Sequence, residues 1–279
     1  MTTILKKCVN DTRKTFHERE DSPLGLGYAP DPEFPGTIMN GKDGKLYTVK
    51  AGTKYKKWIP FYIDLEDLPH DCYHEVKFPK TRKISFEEET GVEEKLGGSK
   101  PFSVEGEGWP IDERGNPYIF VAQFKHPDDQ NKLIVFFIDQ EFEDSDIIEY
   151  DLDEETLKKQ ITITCPENEE SKHPNIIYDP YIIDYYRISK ELKPLSFLYE
   201  RLRLPENDQF RTDYYASDYF ANDCIKIGGT AFHCQQEPTF NKFLQLNDSG
   251  VLPVEFGDSG IGQLKQSRYG SYFFSWDCY

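Results

Sequence analysis

The chain has 279 residues, of which 50 are Asp or Glu and 33 are Lys or Arg, so its formal net charge at pH 7 is -17. Nucleic acid and anionic lipid repel such a chain, and we expect neither as a partner. The same field speeds encounter with a basic protein, over a screening length of about 8 Å at physiological salt. Acidity also keeps a protein in solution, so charge alone leaves both interpretations open.

Aromatic residues dominate the apolar composition, with 20 Phe and 18 Tyr against two Met, which favours sheets over Leu- and Met-rich helices. The six cysteines are dispersed without a C-x-x-C pair and indicate free thiols in a reducing compartment. Residues 1–10 lack the apolar core of a signal peptide, and no apolar run approaches 18 residues. We therefore expect a cytoplasmic protein without a cofactor.

Residues 1–80 are predicted to form an N-terminal appendage. Residues 1–20 are charged and predict a short helix, and the Pro- and Gly-rich residues 21–41 predict an ordered coil. Residues 44–50 and 57–63 predict the two strands of a small β-hairpin.

Residues 81–279 are predicted to form one body with an internal repeat, at about residues 90–150 and 220–279. Each copy holds a Lys-x-Gly-Gly sequence, at residues 95–98 and 226–229, and continues with a phenylalanine and short apolar strands. Such a repeat indicates a pseudo-symmetric fold. We predict the α+β class, with two mainly antiparallel β units related by a pseudo-two-fold axis.

Between and after the repeats, the pattern is mixed. Residues 139–155 carry ten acids in seventeen positions, interrupted by apolar residues, and Asp153 is expected to open a short helix. Residues 186–203 are predicted to be helical and broken by Pro194. The aromatic C-terminus, residues 271–279, predicts a buried final strand.

Two glutamines occupy matching points of the two copies, Gln123 and Gln245. Paired glycines in a strand mark a bulge or a close approach of backbone. Packing of the two halves explains them, and so does a ligand that meets bare backbone in a cleft lined by Gln123 and Gln245. Both alternatives stay open at this point.

Residues 257–260 read Gly-Asp-Ser-Gly, the tetrapeptide around the nucleophile of chymotrypsin-like proteases. A serine nucleophile needs a general base, and the aromatic-Ala-His-Cys context of those enzymes is absent from this sequence. We therefore interpret the segment as a tight turn in which Asp258 caps backbone N–H groups, with a binding role for Asp258 as the alternative.

Two other groups of residues could carry chemistry. His70, Cys72 and His74 alternate and would share one face of a strand, as in a zinc site, but the sequence offers no second close pair of ligands. Carboxylates flank Trp109, as in glycoside hydrolases, yet an acidic chain produces such neighbours by chance. We assign no catalytic residue and no metal ligand, and we expect a non-enzymatic protein.

An ordered set of short motifs resembles the YwqG-like family over about residues 90–279. The set comprises the second Lys-x-Gly-Gly sequence, Phe-Leu-Gln-Leu at residues 243–246, Phe-Gly-Asp-Ser-Gly-Ile-Gly at 256–262 and the ending Trp-Asp-Cys-Tyr. The resemblance implies a duplicated fold and no settled activity, and an immunity-like binding role is proposed for some members. Residues 40–58 are similar to a short module in proteins of large DNA viruses, which would place the protein in a host cytoplasm or a virion.

Three functions follow as hypotheses. The first is a module that binds a basic protein partner, with exposed aromatic residues such as Trp109 as anchors. The second is a small-molecule binder or hydrolase with a cleft between the repeat halves, and the third is a virion component. The candidate binding residues are Trp109, Gln123, Gln245, Asp258, Trp276 and Asp277.

Overall fold

The computed structural model describes residues 5–166, 177–217, 225–235, 239–247, 251–252, 256–257 and 260–278. By contacts the chain falls into two compact units, one of residues 1–74 with 192–220 and one of residues 75–191 with 221–279. Residues 192–220, which the sequence analysis placed in the body, thus cluster with the N-terminal residues. The boundary at residue 80 stays a prediction.

The described strands, in chain order, are β1 (Lys6–Lys7), β2 (Thr15–Phe16), β3 (Ile38–Asn40), β4 (Leu46–Ala51), β5 (Lys56–Pro60), β6 (Tyr73–Lys83), β7 (Lys95–Leu96), β8 (Phe102–Val104), β9 (Ile119–His126), β10 (Asp129–Ile138), β11 (Ser145–Asp151), β12 (Gln160–Thr162), β13 (Tyr181–Leu192), β14 (Lys226–Gly228), β15 (Thr230–Ala231), β16 (Thr239–Phe240), β17 (Leu244–Asn247), β18 (Ile261–Gln266) and β19 (Tyr272–Asp277). The α-helices are α1 (Glu154–Lys158), α2 (Leu195–Leu202) and α3 (Asp208–Tyr215).

The predicted α+β class is wrong, because the protein is mostly antiparallel β with three short α-helices among the described residues. The helix predicted over residues 186–203 is the main error. Its first part belongs to β13, whose aromatic and β-branched residues favour a strand, and α2 begins only after Pro194. Residues 1–20 likewise contain the paired strands β1 and β2 instead of a helix.

The first unit contains the predicted hairpin as β4 and β5, extended by β3 into a three-stranded antiparallel sheet. Asn207 caps α3 by accepting a hydrogen bond from the Phe210 N–H at 2.8 Å. The Nδ2 of Asn207 also donates to Asn40 Oδ1 at 2.8 Å and to the Gly44 carbonyl at 2.6 Å. This one side chain therefore fastens α3 to the sheet.

The second unit is built on a ten-stranded sheet in the order β11-β10-β9-β7-β13-β6-β14-β17-β18-β19. The order reads the same from either end if β7 is matched with β14, β9 with β17, β10 with β18 and β11 with β19. The first half comprises β7, β9, β10 and β11, and the second comprises β14, β17, β18 and β19. β6 precedes the first half in the chain but pairs with β14 of the second, and β13 precedes the second half but pairs with β7 of the first. The two halves therefore exchange their leading strands.

Both halves contribute to one interior. The main core takes Ile134 and Phe136 from β10 and Leu246 and Leu264 from β17 and β18. A second core, with Phe102, Trp109 and Phe137, covers the opposite face of the first half only.

The two ends of the sheet lie next to each other. The Tyr272 hydroxyl of β19 donates to Glu149 of β11, and the Trp276 Nε1–H donates to the Phe142 carbonyl at 2.9 Å. The final strand is thus an edge strand and is not buried as predicted, since the Trp276 side chain remains 39% exposed. No α-helix in the described ranges has the length and apolarity needed to cross a membrane.

Candidate functional site

Each half contains a buried ion pair at its Lys-x-Gly-Gly sequence. In the first half the Lys95 ammonium is completely buried and lies 2.9 Å from Glu89 Oε1. Lys95 also donates to the Lys100 carbonyl at 2.7 Å, and Glu89 accepts from the Ser99 N–H. A buried charge is tolerated only with such a partner and further hydrogen bonds.

The second half repeats this arrangement. The Lys226 ammonium lies 2.7 Å from Glu191 Oε1 and donates to the Thr230 carbonyl at 2.8 Å. The Thr230 N–H donates to Glu191 Oε2 at 2.9 Å, as Ser99 does to Glu89. No local sequence pattern links Glu89 and Glu191 with the glycine pairs.

The last glycine of each pair leaves room for the carboxylate. Gly98 and Gly229 have φ values of +102° and +90°, which favour glycine. A Cβ would lie 2.0 Å from Glu89 Oε1 at Gly98 and 2.3 Å from Glu191 Oε2 at Gly229. The glycine pairs thus make room for the buried carboxylates, a reason that neither of the two alternatives had named.

The two predicted glutamines are buried in separate halves. Gln123 Oε1 accepts from the Phe102 N–H at 2.8 Å, and its Nε2 donates to the Glu93 carbonyl at 2.6 Å. Gln245 Oε1 accepts from the Phe232 N–H at 3.0 Å. Four strands lie between β9 and β17, so the structure does not bring Gln123 and Gln245 into one cleft.

The two predicted tryptophans differ in exposure. Trp109 is buried, donates from Nε1 to the Tyr118 carbonyl at 2.8 Å and packs edge-to-face on Phe137. It is therefore a core residue and not the exposed anchor that the sequence predicted. Trp276 is partly exposed and hydrogen-bonded to Phe142, which places it beside the turn that joins β10 to β11.

Asp258 and the neighbouring Ser259 lie outside the described residues, whereas Asp277 is described. Asp277 Oδ2 accepts from the Cys234 N–H at 3.1 Å and lies 3.4 Å from His233 Nδ1. Burial, together with the nearby Lys265, lowers the pKa of His233. Sequence reasoning missed His233, although it follows the second glycine pair by only a few residues.

His70 and Cys72 lie in a single 3-10 turn, Pro69 precedes it, and Tyr73 begins β6. His70, Cys72 and His74 therefore do not alternate along one strand as the zinc hypothesis required. Across the described part of the chain, no three His, Cys, Asp or Glu side chains are grouped closely enough to hold a metal ion.

The carboxylates around Trp109 have structural partners. Glu107 accepts from the Tyr150 hydroxyl at 2.6 Å and from the Val104 N–H at 2.9 Å. Asp112 accepts a hydrogen bond from the Asn116 N–H at 2.7 Å and so closes the turn of residues 112–116.

Acids also gather on the surface around Asp146. Asp146 on β11 is half-buried, and its pKa is raised by burial and by the charges of Asp144 and Glu107. Glu143, in the preceding turn, is exposed. We call these four residues the acidic patch (Glu107, Glu143, Asp144 and Asp146).

The fold and the buried residues together define the class of protein. It is a duplicated, mostly antiparallel β protein with one buried lysine–glutamate ion pair in each half. The profile of one family, described as a domain of unknown function (DUF1963), matches residues 94–278. The chain belongs to this family, and the match includes both Lys-x-Gly-Gly sequences. The YwqG-like resemblance is compatible with this family. No curated protein matches the chain.

Proposed function

We propose that this protein is a non-enzymatic binding module that takes a basic protein partner at the acidic patch. The observation that carries the proposal is the setting of Asp146, whose carboxylate is half-buried beside two other acids. A cationic group placed there would offset both the repulsion and the burial of charge. The net charge of -17 would steer such a partner toward the chain.

Trp276 supplies an aromatic side chain next to the turn that contains Glu143. It bonds the carbonyl of Phe142, and Phe142 lies one residue before Glu143 of the patch. We expect a Lys or Arg side chain of the partner to contact the partly exposed Trp276 ring, because a cation over an aromatic face is favourable. Phe142 has a φ of +60°, a conformation that costs a non-glycine residue roughly 1–2 kcal/mol. Such strain is common where a turn serves binding.

The cleft alternative has less support. The described interior between the halves is filled by apolar side chains from both, including Phe136 and Leu264. The immunity-like role implied by the YwqG-like resemblance would be one form of the proposed binding function. A virion role rests only on the similarity of residues 40–58.

The proposal is tested with a fluorescent Lys/Arg-rich peptide, whose binding is followed by anisotropy at low and physiological salt. The variant Glu143→Gln/Asp146→Asn keeps the hydrogen bonds of Glu107 and Asp144, and we expect it to weaken binding roughly tenfold. The control variant Glu66→Gln/Asp67→Asn removes the same charge in the other unit and should change binding less than about twofold. Higher salt should weaken wild-type binding.

Equal losses for the two variants would mean that only net charge attracts the peptide, and the acidic patch would then have no special role. Trp276→Leu provides an independent measurement, since it leaves the charge unchanged. We expect it to weaken peptide binding as well.

A further inference from the structure

The strand order, which reads the same from either end, shows which positions of the two halves correspond. Lys95 pairs with Gln123 across the strands as Lys226 pairs with Gln245, and each glutamine accepts from the N–H of a phenylalanine, Phe102 or Phe232. The cross-strand registers then match further positions by the same steps. The corresponding pairs are Ser103 with His233, Val135 with Gln263, Phe137 with Lys265 and Tyr150 with Asp277.

These positions differ sharply in chemistry. In the first half, Val135, Phe137 and Tyr150 belong to the apolar core that covers the outer face. In the second half, the same places carry what we call the polar cluster (His233, Gln263, Lys265 and Asp277). Polar groups at buried positions cost stability unless they are paired, so the apolar arrangement would be the more stable one.

His233 is the centre of the polar cluster. Its Nδ1 faces Asp277 Oδ2 at 3.4 Å, and its Nε2 lies 3.5 Å from Lys265 Nζ and 3.2 Å from Thr239 Oγ1. The side chain of His233 is 9% exposed and that of Asp277 is 17% exposed. The cluster is therefore nearly enclosed but still reachable from solvent.

Two acceptor atoms of the cluster are buried without a hydrogen-bond partner among the described residues, Asp277 Oδ1 and Gln263 Oε1. Gln263 is 1% exposed, and its Nε2 donates to the Phe232 carbonyl, which sets the orientation of the amide. An unpaired buried acceptor costs about 1–3 kcal/mol. Such a cost at two groups of one cluster indicates that something else supplies the donors.

The charges of the cluster restrict which chemical group can supply these hydrogen-bond donors. Both free acceptors require N–H or O–H donors, whereas Lys265 beside them disfavours a plain cation and offers a donor to an anion. The burial that lowers the pKa of His233 favours the uncharged ring. The lysine and the aspartate then balance each other, so a ligand that carries both charges fits best.

We propose that the polar cluster binds a small zwitterion of the amino-acid type. Its ammonium group donates to Asp277 Oδ1 and Gln263 Oε1, and its carboxylate accepts from Lys265. This site is independent of the acidic patch. Its residues belong to the second half of the sheet and those of the patch to the first, and it requires no protein partner.

The test uses the twenty free L-amino acids as probes, with the His233 imidazole resonances followed by NMR and the affinity measured by calorimetry. We expect at least one amino acid to shift these resonances and to bind better than the amine and the carboxylate that share its side chain. Asp277→Asn should weaken binding at least roughly tenfold, as expected for loss of a charged acceptor. The control Asp151→Asn, an exposed acid on β11, should leave binding unchanged.

Lys265→Met gives a second, separate measurement at a partly exposed position, in case Asp277→Asn does not fold. It should remove the preference for the amino acid over its amine. The proposal is overturned if the wild type binds the amine or glycerol as tightly as the amino acid. It is also overturned if no amino acid shifts the His233 resonances at ~10 mM, since buried water would then be the donor.

Discussion

At the scale of single residues, the protein is organised by charges that are buried in pairs. Lys226 and Glu191 are 0% and 2% exposed, and the equivalent Lys95 and Glu89 are 0% and 4% exposed. In such pairs the desolvation of both ions opposes their attraction, so the pair adds little net stability while the loss of one member is costly. We therefore expect the pairs to contribute more to the specificity of the fold than to its stability.

Replacing Lys226 by methionine leaves the Glu191 carboxylate buried without its counter-ion. We expect Lys226→Met to lower the free energy of unfolding by about 3–5 kcal/mol, measured by urea denaturation. In the matched control Lys132→Met, the pair with Glu149 is partly exposed, and the loss should be about 1 kcal/mol or less. Similar losses for both variants would show that burial of the Lys226 pair is not decisive.

The raised pKa of Asp146 predicts that its contribution to stability changes with pH in the opposite direction from that of most surface acids. Its folded-state pKa is raised, so stability is lost as pH rises from the unfolded value of 3.8 through the folded pKa. Asp146→Asn should therefore be more stable than the wild type at pH 7, with an advantage that vanishes near pH 3.8. Thermal melts across this range test the sign, and a less stable variant at pH 7 would contradict it.

At the scale of elements, side chains connect the two ends of the sheet. β11 and β19 are the outermost strands, and the hydroxyl of Tyr272 reaches Glu149 from one to the other. Burial and the Glu149 charge raise the pKa of Tyr272. Unpaired edges promote association between molecules, so a contact that holds two edges together protects both.

Tyr272→Phe removes the hydroxyl that donates to Glu149. We expect a loss of about 1–2 kcal/mol in the free energy of unfolding, because Lys132 still pairs with the carboxylate. Faster amide exchange should appear in β11 and β19 together. Tyr269→Phe serves as the control, since Tyr269 is 79% exposed, and its effect should stay within about 0.5 kcal/mol.

At the scale of the second unit, the exchange of β6 and β13 makes the two halves interdependent. Each half needs the leading strand of the other to complete its part of the sheet, and both fill one apolar interior. Unfolding of either half would expose that interior and leave a long strand unpaired. We therefore expect the halves to unfold together.

Hydrogen exchange measured by mass spectrometry tests this expectation. Lys95→Met lies in the first half, yet it should accelerate exchange in β17 and β18 as much as in β9 and β10. Lys226→Met should produce the same pattern from the second half. Acceleration confined to the mutated half would show that each half unfolds separately.

Much of the local structure could be predicted from short patterns. The hairpin of β4 and β5, the helix opened by Asp153 and the paired glycines all depend on residues close together in the chain. The helix expected before Pro194 could not be corrected locally, because residues 186–192 belong to β13, which lies between β7 and β6 in the sheet. Long-range pairing of this kind overrides local preference.

The amino-acid sequence by itself determined that this protein is acidic, rich in aromatic residues and marked by two Lys-x-Gly-Gly sequences, because these properties need no knowledge of contacts. Only the tertiary structure decided that Glu89 and Glu191 neutralise those lysines, that Trp109 is buried and that His233 meets Asp277. Each of these depends on segments far apart in the chain, and the pairing of strands brings them within hydrogen-bond distance.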